Sequence, residues 1–380
     1  MTPERFRGSL ISHFSRRITQ RGGINLAQGK PGFEPPPELI RRLCEAANEP
    51  ALHQYAPGNG NLRLLELLTA RLSSADTPLD EGNLLIVQGA TEGLFLALFH
   101  LFYHLGPGAG VLSFDPAYES FPRLPQILGM PYHAFSTGAD GDVDFAALEA
   151  TVRKRQIRVI LLASPGSPLG KIWSRDELCA LATILERVDG WLIFDAVYAG
   201  IYFDSAPADP LELGFQKLIR VDSFSKRLSI TGWRVGHMVA PQKTMAAIRA
   251  DHDYTDLSAP SLAQAALARY LEANDFGSEY TRDCRMICAR NHAFMSHELA
   301  AAGFRVAPAR GGYFVWARIP QAWSDGFSLA ESLLEAGVGV VPGENFSDRY
   351  RDFIRLNIAT DSETVTEAAS RIRAHCASGS

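Results

Sequence analysis

The chain has 380 residues, 46% apolar and 21% charged, the balance of a soluble globular protein large enough for two packed units. Its 42 acidic against 37 basic residues give a net charge of -5, which argues against nucleic acid as a partner. Five cysteines without a C-x-x-C pair fit a reducing cytoplasm and a protein with no metal centre, and neither a membrane span nor a signal-peptide core is expected.

Residues 1–23 are polar and bear Arg5, Arg7, Arg16 and Arg17, with Leu10, Ile11 and Phe14 as anchors of an arm or first helix. The run A-Q-G-K-P-G-F-E-P-P-P, from Ala27 to Pro37, excludes regular structure, and a helix follows from Glu38 to about Ala47. A second glycine-rich loop, Y-A-P-G-N-G at Tyr55–Gly60, leads into a helix from about Leu62 to Leu72. Leu84–Val87 reads as a short strand, followed by the turn G-A-T-E-G and a long apolar helix to about Leu105. Strand, small-residue turn and helix N-terminus form a generic anion site, because unpaired N–H groups point at the turn. Small residues at Ala90 and Thr91 also suit a turn with no ligand.

Gly110–Phe114 is expected as a strand running into D-P-A-Y, which sets Tyr118 near a strand end, to stack on a flat ligand or to pack. Ile157–Ala163 is a buried strand closed by S-P-G-S-P-L-G. A helix at Arg175–Arg187 and a strand at Trp191–Phe194 follow, the strand ending in Asp195 with Tyr198 three residues on. Lys217–Asp222, K-L-I-R-V-D, is a further strand, and S-F-S-K-R-L-S-I-T-G-W-R-V-G comes directly after it. Past Val239, helical runs extend over about 244–302, with breaks near 256–260 and 274–277. Strand-like stretches then lie at 304–306, 311–318, 337–341 and 353–358, with helices around 329–336 and 362–373.

This alternation predicts an α/β fold: a mostly parallel central sheet in a large domain with helices on both faces, plus a smaller α+β domain. Expected divisions are 1–48 for the arm and part of the small domain, 49–285 for the large domain and 286–380 for the C-terminal small domain. Thr91, Tyr118, Ser167, Asp195 and Lys226 lie past separate strand ends, where an open α/β sheet keeps its chemistry. A lysine there is a candidate nucleophile toward a carbonyl. Ser223, Ser225 and Arg234 beside it suit a phosphate. On spacing alone, an ordinary surface lysine in a polar loop accounts for Lys226 equally well.

As a set, from about Ile24 to Arg373, these motifs resemble the class I/II aminotransferases, the fold-type-I enzymes that use pyridoxal 5'-phosphate. The N-terminal stretches resemble the branch acting on kynurenine, aromatic amino acids, methionine and glutamine. The resemblance makes Lys226 the Schiff-base lysine and Arg234 the phosphate arginine, with Ala90, Thr91, Ser223 and Ser225 completing the phosphate cup. It makes Asp195 the partner of the pyridine nitrogen and Tyr198 that of the phenolic oxygen, from D-x-x-Y. Tyr118 takes the ring-stacking position, and Gly29 lines the substrate site. Arg355, in R-L-N-I-A, is the clamp on the substrate carboxylate. Tyr55 reaches the phosphate of the neighbouring subunit, which implies a cytoplasmic homodimer with shared active sites.

The implied reaction moves an amino group from an L-amino acid to a 2-oxo acid, with Lys226 carrying the proton at the substrate's Cα. The donor's side chain is aromatic, methionine-like, amide or cationic. A second reading keeps the cofactor and fold but assigns elimination, replacement or cyclisation. Tyr313, in G-G-Y-F-V-W, either lines the side-chain pocket or packs. Asp253 and Asp256 either face a cationic or amide side chain or serve as caps. One motif departs from the family: N-P-x-G is here Ser167-Pro168-Leu169-Gly170, and serine is shorter than asparagine and lacks the amide donor.

Overall fold

The computed structural model describes residues 9–138 and 140–378; Arg5 and Arg7 of the expected arm lie outside them. After a first helix, Leu10–Gln20, comes the short strand β1 (Ile24–Asn25). Seven strands then build the large sheet: β2 (Leu84–Val87), β3 (Gly110–Asp115), β4 (Tyr132–Ser136), β5 (Ile157–Ala163), β6 (Trp191–Asp195), β7 (Leu218–Ser223) and β8 (Gly236–Val239). Their order is β2-β8-β7-β6-β5-β3-β4. All run parallel except β8, which is antiparallel to β2 and β7 on either side.

Period-two alternation divides this sheet between two cores. Leu112, Ile160, Leu162, Leu192 and Phe194 face the helices Leu62–Leu72, Phe145–Lys154, Arg175–Arg187 and Ser261–Ala273. Val111, Val159, Leu161, Trp191 and Ile193 face Ala90–Leu105, Ser120–Ile127 and Gln242–Thr255. Covered on both faces, these strands carry apolar side chains at nearly every position, which is why L-L-I-V and I-R-V-I-L-L-A read as near-continuous runs. Local signals start the helices where needed: Ser174 and Glu177 form a reciprocal capping box ahead of Arg175–Arg187.

The smaller unit contains β9 (Arg305–Val306), β10 (Phe314–Arg318), β11 (Val338–Gly339), β12 (Val341–Pro342) and β13 (Phe353–Asn357). An antiparallel sheet runs β12-β13-β10-β9, and β11 pairs in parallel with β1. Phe14 and Ile18 of the first helix join Trp316, Leu329, Ile354 and Ile372 in its core. The expected division at 285/286 falls within the continuous helix Ser278–Ala301.

Among the described residues, no helix is long and apolar enough to cross a membrane. Strand direction sets the position of the site. The carboxyl ends of β2, β3, β5, β6 and β7 share one rim. Because β8 is reversed, its amino end joins them: Gly236 pairs with Val87 on one side and Ser223 on the other.

Candidate active site

Lys226 lies in the short helix Phe224–Arg227, directly after β7, where the Ser223 hydroxyl accepts the Ser225 N–H. Its Nζ donates to the Gly29 carbonyl. Its own carbonyl accepts the Tyr313 hydroxyl at 2.7 Å. Burial pushes the amine down to about 8; Arg355 and Arg234 act in the same direction, and Asp195 opposes them.

An anion cradle adjoins it. Helix Ala90–Leu105 has no side-chain cap, so its first N–H groups are open to an anion. Arg234 sits in the left-handed region at φ 54, ψ 52, a strained placement for a non-glycine residue. Two carbonyls hold its guanidinium: Thr231 at 3.2 Å and Gln88 at 3.0 Å. A Cβ on Gly89 would stand 2.5 Å from Arg234 Nη2, and Gly89 has φ +79, so both sterics and backbone require glycine there. The Ser223 and Ser225 hydroxyls lie 2.8 Å apart at the rim of β7.

Asp195 ends β6 and accepts the Val197 N–H at 3.0 Å. Burial, with Asp222 adding to it, pushes its carboxyl up to about 7. Tyr198 stands edge-on to Tyr313 at 5.3 Å and to Phe314 at 5.7 Å, with Lys226 Nζ 5.9 Å from its ring centre. Burial raises the phenols of Tyr198 and Tyr118, and the fields of Asp195 and Arg355 reach both.

Arg355 comes from the small sheet, in the middle of β13, and is 1% exposed. Phe314 and Phe346 stack on its guanidinium at 4.1 and 4.8 Å. Nη2 donates to the Ala27 carbonyl at 2.8 Å, and Nη1 reaches Ser167 Oγ at 3.4 Å. Nε is buried without a partner, and burial pushes the group down to about 10. A cation this dry calls for a carboxylate. Gly29 leaves room beside it: a Cβ there would meet Phe314 Cζ at 3.0 Å and Arg355 Nη2 at 3.7 Å.

The structure thus brings Gly29, Ser167, Asp195, Tyr198, Lys226, Tyr313 and Arg355 together, with Ala90, Thr91, Ser223, Ser225 and Arg234 around the cradle. Tyr55 stands outside this buried set and is 82% exposed. Tyr313 is fully buried with its hydroxyl committed to Lys226, so packing describes it better than a pocket lining does. Asp256 is the C-cap residue of helix Gln242–Thr255 and is held by the Gln88 amide. Sequence reasoning did not single out Phe314, Phe346, Gln88 or Glu119. Phe314 adjoins Tyr313 in G-G-Y-F-V-W, and that adjacency was the available signal.

Pyridoxal phosphate fits this donor set. The uncapped helix end and Arg234 suit a dianion, a buried carboxylate at Asp195 suits a protonated ring nitrogen, and the Lys226 amine suits the aldehyde. Residues 21–372 match the family model described as aminotransferase class I and II. Methionine aminotransferase of Escherichia coli is 29% identical, with 96% of this chain and 95% of that protein covered. A probable aspartate aminotransferase of Methanocaldococcus jannaschii is 26% identical, with 92% of each covered. The solved N-succinyldiaminopimelate aminotransferase of Mycobacterium tuberculosis superposes with a TM-score of 0.89 at 26% identity, covering 97% of this chain and 98% of that one. These relatives bear names that differ in substrate, and each is matched over more than nine-tenths of its length. The chain belongs to the aminotransferase class I and II family and is a pyridoxal-phosphate-dependent aminotransferase, moving amino groups between amino acids and 2-oxo acids.

Proposed function

We propose that the amino donor is an L-amino acid with an uncharged, largely apolar side chain, aromatic or methionine-like. The setting of Arg355 carries this reading. The guanidinium that receives the α-carboxylate is flanked by Phe314 and Phe346, and Tyr118 and Tyr198 stand within its field. The field of the Glu119 carboxylate also reaches it, and a negative charge there disfavours an acidic side chain. Asp256 is engaged by Gln88, which weakens the case for a cationic donor.

When bound, the cofactor draws electrons from the substrate's Cα. In this reading Ala90, Thr91, Ser223, Ser225 and Arg234 would hold its phosphate, Asp195 its ring nitrogen, Tyr198 its phenolic oxygen and Tyr118 its ring face. Lys226 would hold it covalently until the substrate amine takes that place. The freed amine, lowered to about 8, is then basic enough to accept the Cα proton and acidic enough to return it. Arg355 fixes the α-carboxylate and so orients the Cα–H bond. Gly29 gives that carboxylate backbone-close access, and Ser167 leaves space beside it. Tyr313 acts through Lys226, by holding its carbonyl.

The same reading includes a homodimer, with Tyr55 completing the partner's phosphate site. Tyr55, Leu62, Tyr254 and Leu257 are 82%, 56%, 94% and 40% exposed, which suits a covered surface. It also includes the division into 1–48, 49–285 and 286–380.

The test is a single-turnover screen of amino acids against the loaded enzyme without acceptor. Phenylalanine, tyrosine, kynurenine and methionine should each release one equivalent of 2-oxo acid per chain, with release continuing only after a 2-oxo acid acceptor is added. Faster release from aspartate or glutamate than from all four would refute the side-chain assignment.

A further inference from the structure

One turn into the helix that opens at Ala90, Glu92 meets His252 and Asp256 from the end of helix Gln242–Thr255. Glu92 Oε1 stands 3.8 Å from His252 Nε2, and donor atoms of all three residues lie within 4.8 Å of one another. His252 is 0% exposed, and its Nε2, the nitrogen facing Glu92, has no hydrogen-bond partner. Asp256 Oδ2 is also buried and unpartnered. Buried polar groups left unmet are costly, charged ones most of all.

The surroundings orient the three donors. The Gln88 N–H is donated to Glu92 Oε2, and the Gln88 side-chain amide to Asp256 Oδ1. That arrangement leaves Glu92 Oε1 and Asp256 Oδ2 for the imidazole side of the cluster. Such outer hydrogen bonds are what fix the ligands in metal sites. The Gly58 backbone offers the ring an acceptor for one N–H, the contact that fixes which nitrogen carries the proton. The other ring nitrogen then keeps its lone pair.

We propose that Glu92, His252 and Asp256 form a binding site for one divalent transition-metal cation of the zinc class. One imidazole nitrogen and two carboxylate oxygens suit such an ion better than magnesium or calcium, which prefer all-oxygen shells. Ligands about 2.0–2.1 Å from zinc stand about 3.4 Å apart, so small side-chain rotations close the cluster. The ion offsets two carboxylates lying one turn from the residues proposed to hold a phosphate. It also ties helix Gln242–Thr255 to the first turn of the cradle helix.

The experiment uses cofactor-loaded protein stripped with a chelator, then titrated with Zn2+ against a chromophoric competitor. Bound metal is counted per chain by plasma mass spectrometry. One Zn2+ per chain is expected, with affinity lowered at least tenfold by His252→Gln and by Asp256→Asn. Mn2+ should compete for the same residues more weakly. Should His252→Gln fail to fold, Asp256→Asn decides alone. The double variant His100→Asn/His104→Asn removes the stacked histidine pair 5.8 Å apart further along the same helix, and should leave the titration unchanged. Less than half an equivalent of bound Zn2+, binding that persists at full strength in Asp256→Asn, or binding lost in the His100/His104 variant overturns the proposal.

Discussion

Asp195→Asn separates the service of this carboxyl to the cofactor from its cost to the fold. In the unloaded protein the group is 8% exposed and accepts the Val197 N–H. Burial, with Asp222 adding to it, moves its pKa from 3.8 to about 7. A raised carboxyl means that the folded chain holds the proton more tightly than the unfolded chain. The stability it contributes is therefore full below about pH 4 and is lost as pH rises through about 7. Roughly three pH units set a ceiling of about 4 kcal/mol at pH 8. Asparagine stays neutral throughout and its Oδ1 still accepts the Val197 N–H. Unloaded Asp195→Asn should therefore melt above unloaded wild type at pH 8, with the gap closing toward pH 5. Affinity for pyridoxal phosphate should fall roughly ten- to hundredfold, the loss of a hydrogen bond between charged groups. Calorimetry at pH 5, 6, 7 and 8 and a titration followed by cofactor absorbance measure both. Equal melting temperatures at pH 8, or a gap that widens toward pH 5, would refute the reasoning.

Three further outcomes are expected. The rate of borohydride-trapped attachment of pyridoxal phosphate to Lys226 should rise about tenfold per pH unit below about 8 and then level off, because only the neutral amine reacts. A midpoint near 10.5, or label on another lysine in the peptide map, contradicts the placement. Ser167→Asn puts an amide where Ser167 Oγ now reaches Arg355 at 3.4 Å. A hydrogen bond to a charged group is worth about 1.5–3 kcal/mol, so kcat/KM should change ten- to hundredfold for at least one donor. Changes below twofold across the panel would make Ser167 a tolerated replacement. Tyr313→Phe removes one of the donors to the Lys226 carbonyl, which keeps the Ser229 N–H at 3.5 Å, at a cost of about 0.5–1.5 kcal/mol. It should lower kcat more than it changes KM and shift the pH midpoint of cofactor attachment; a normal kcat and midpoint would make Tyr313 structural only.

The strands that carry the site were legible because a sheet covered on both faces demands unbroken apolar runs, as in Ile157–Ala163, and because each run stops at a polar residue. β4 was not set out in the sequence reading: Tyr132–Ser136 lies at the sheet edge, half-exposed, with a mixed pattern to match. Helix Ser120–Ile127 has Pro125 inside it, a residue that argues against helix until tertiary packing of Phe121 and Leu124 overrides it. β8 begins at the last glycine of T-G-W-R-V-G and is four residues long, too brief for periodicity to reveal. Lys226 and Asp195 were found from local context. The aromatic flanks of Arg355 were not, since Phe314 and Phe346 reach it across β10 and a loop after β12. The Glu92, His252 and Asp256 cluster joins two helices: His252 and Asp256 stand four residues apart, but Glu92 lies far away in the chain, so their meeting was not legible.

The reversal of β8 also orders events in time. Arg234 and the Gln88 carbonyl it holds are 146 residues apart in the chain. The turn at Gly89 is synthesised early and packs locally against its own helix, yet half of its cradle arrives only when β8 slots between β2 and β7. Contacts of such separation close late, after the loop entropy between them has been overcome. A phosphate-bearing ligand therefore has no complete cradle in any partly assembled form, and its stabilisation, RT ln(1 + [L]/Kd), falls wholly on the last insertion. In a newly made chain the cofactor is a latch on the β2 side of the sheet before it is a reagent.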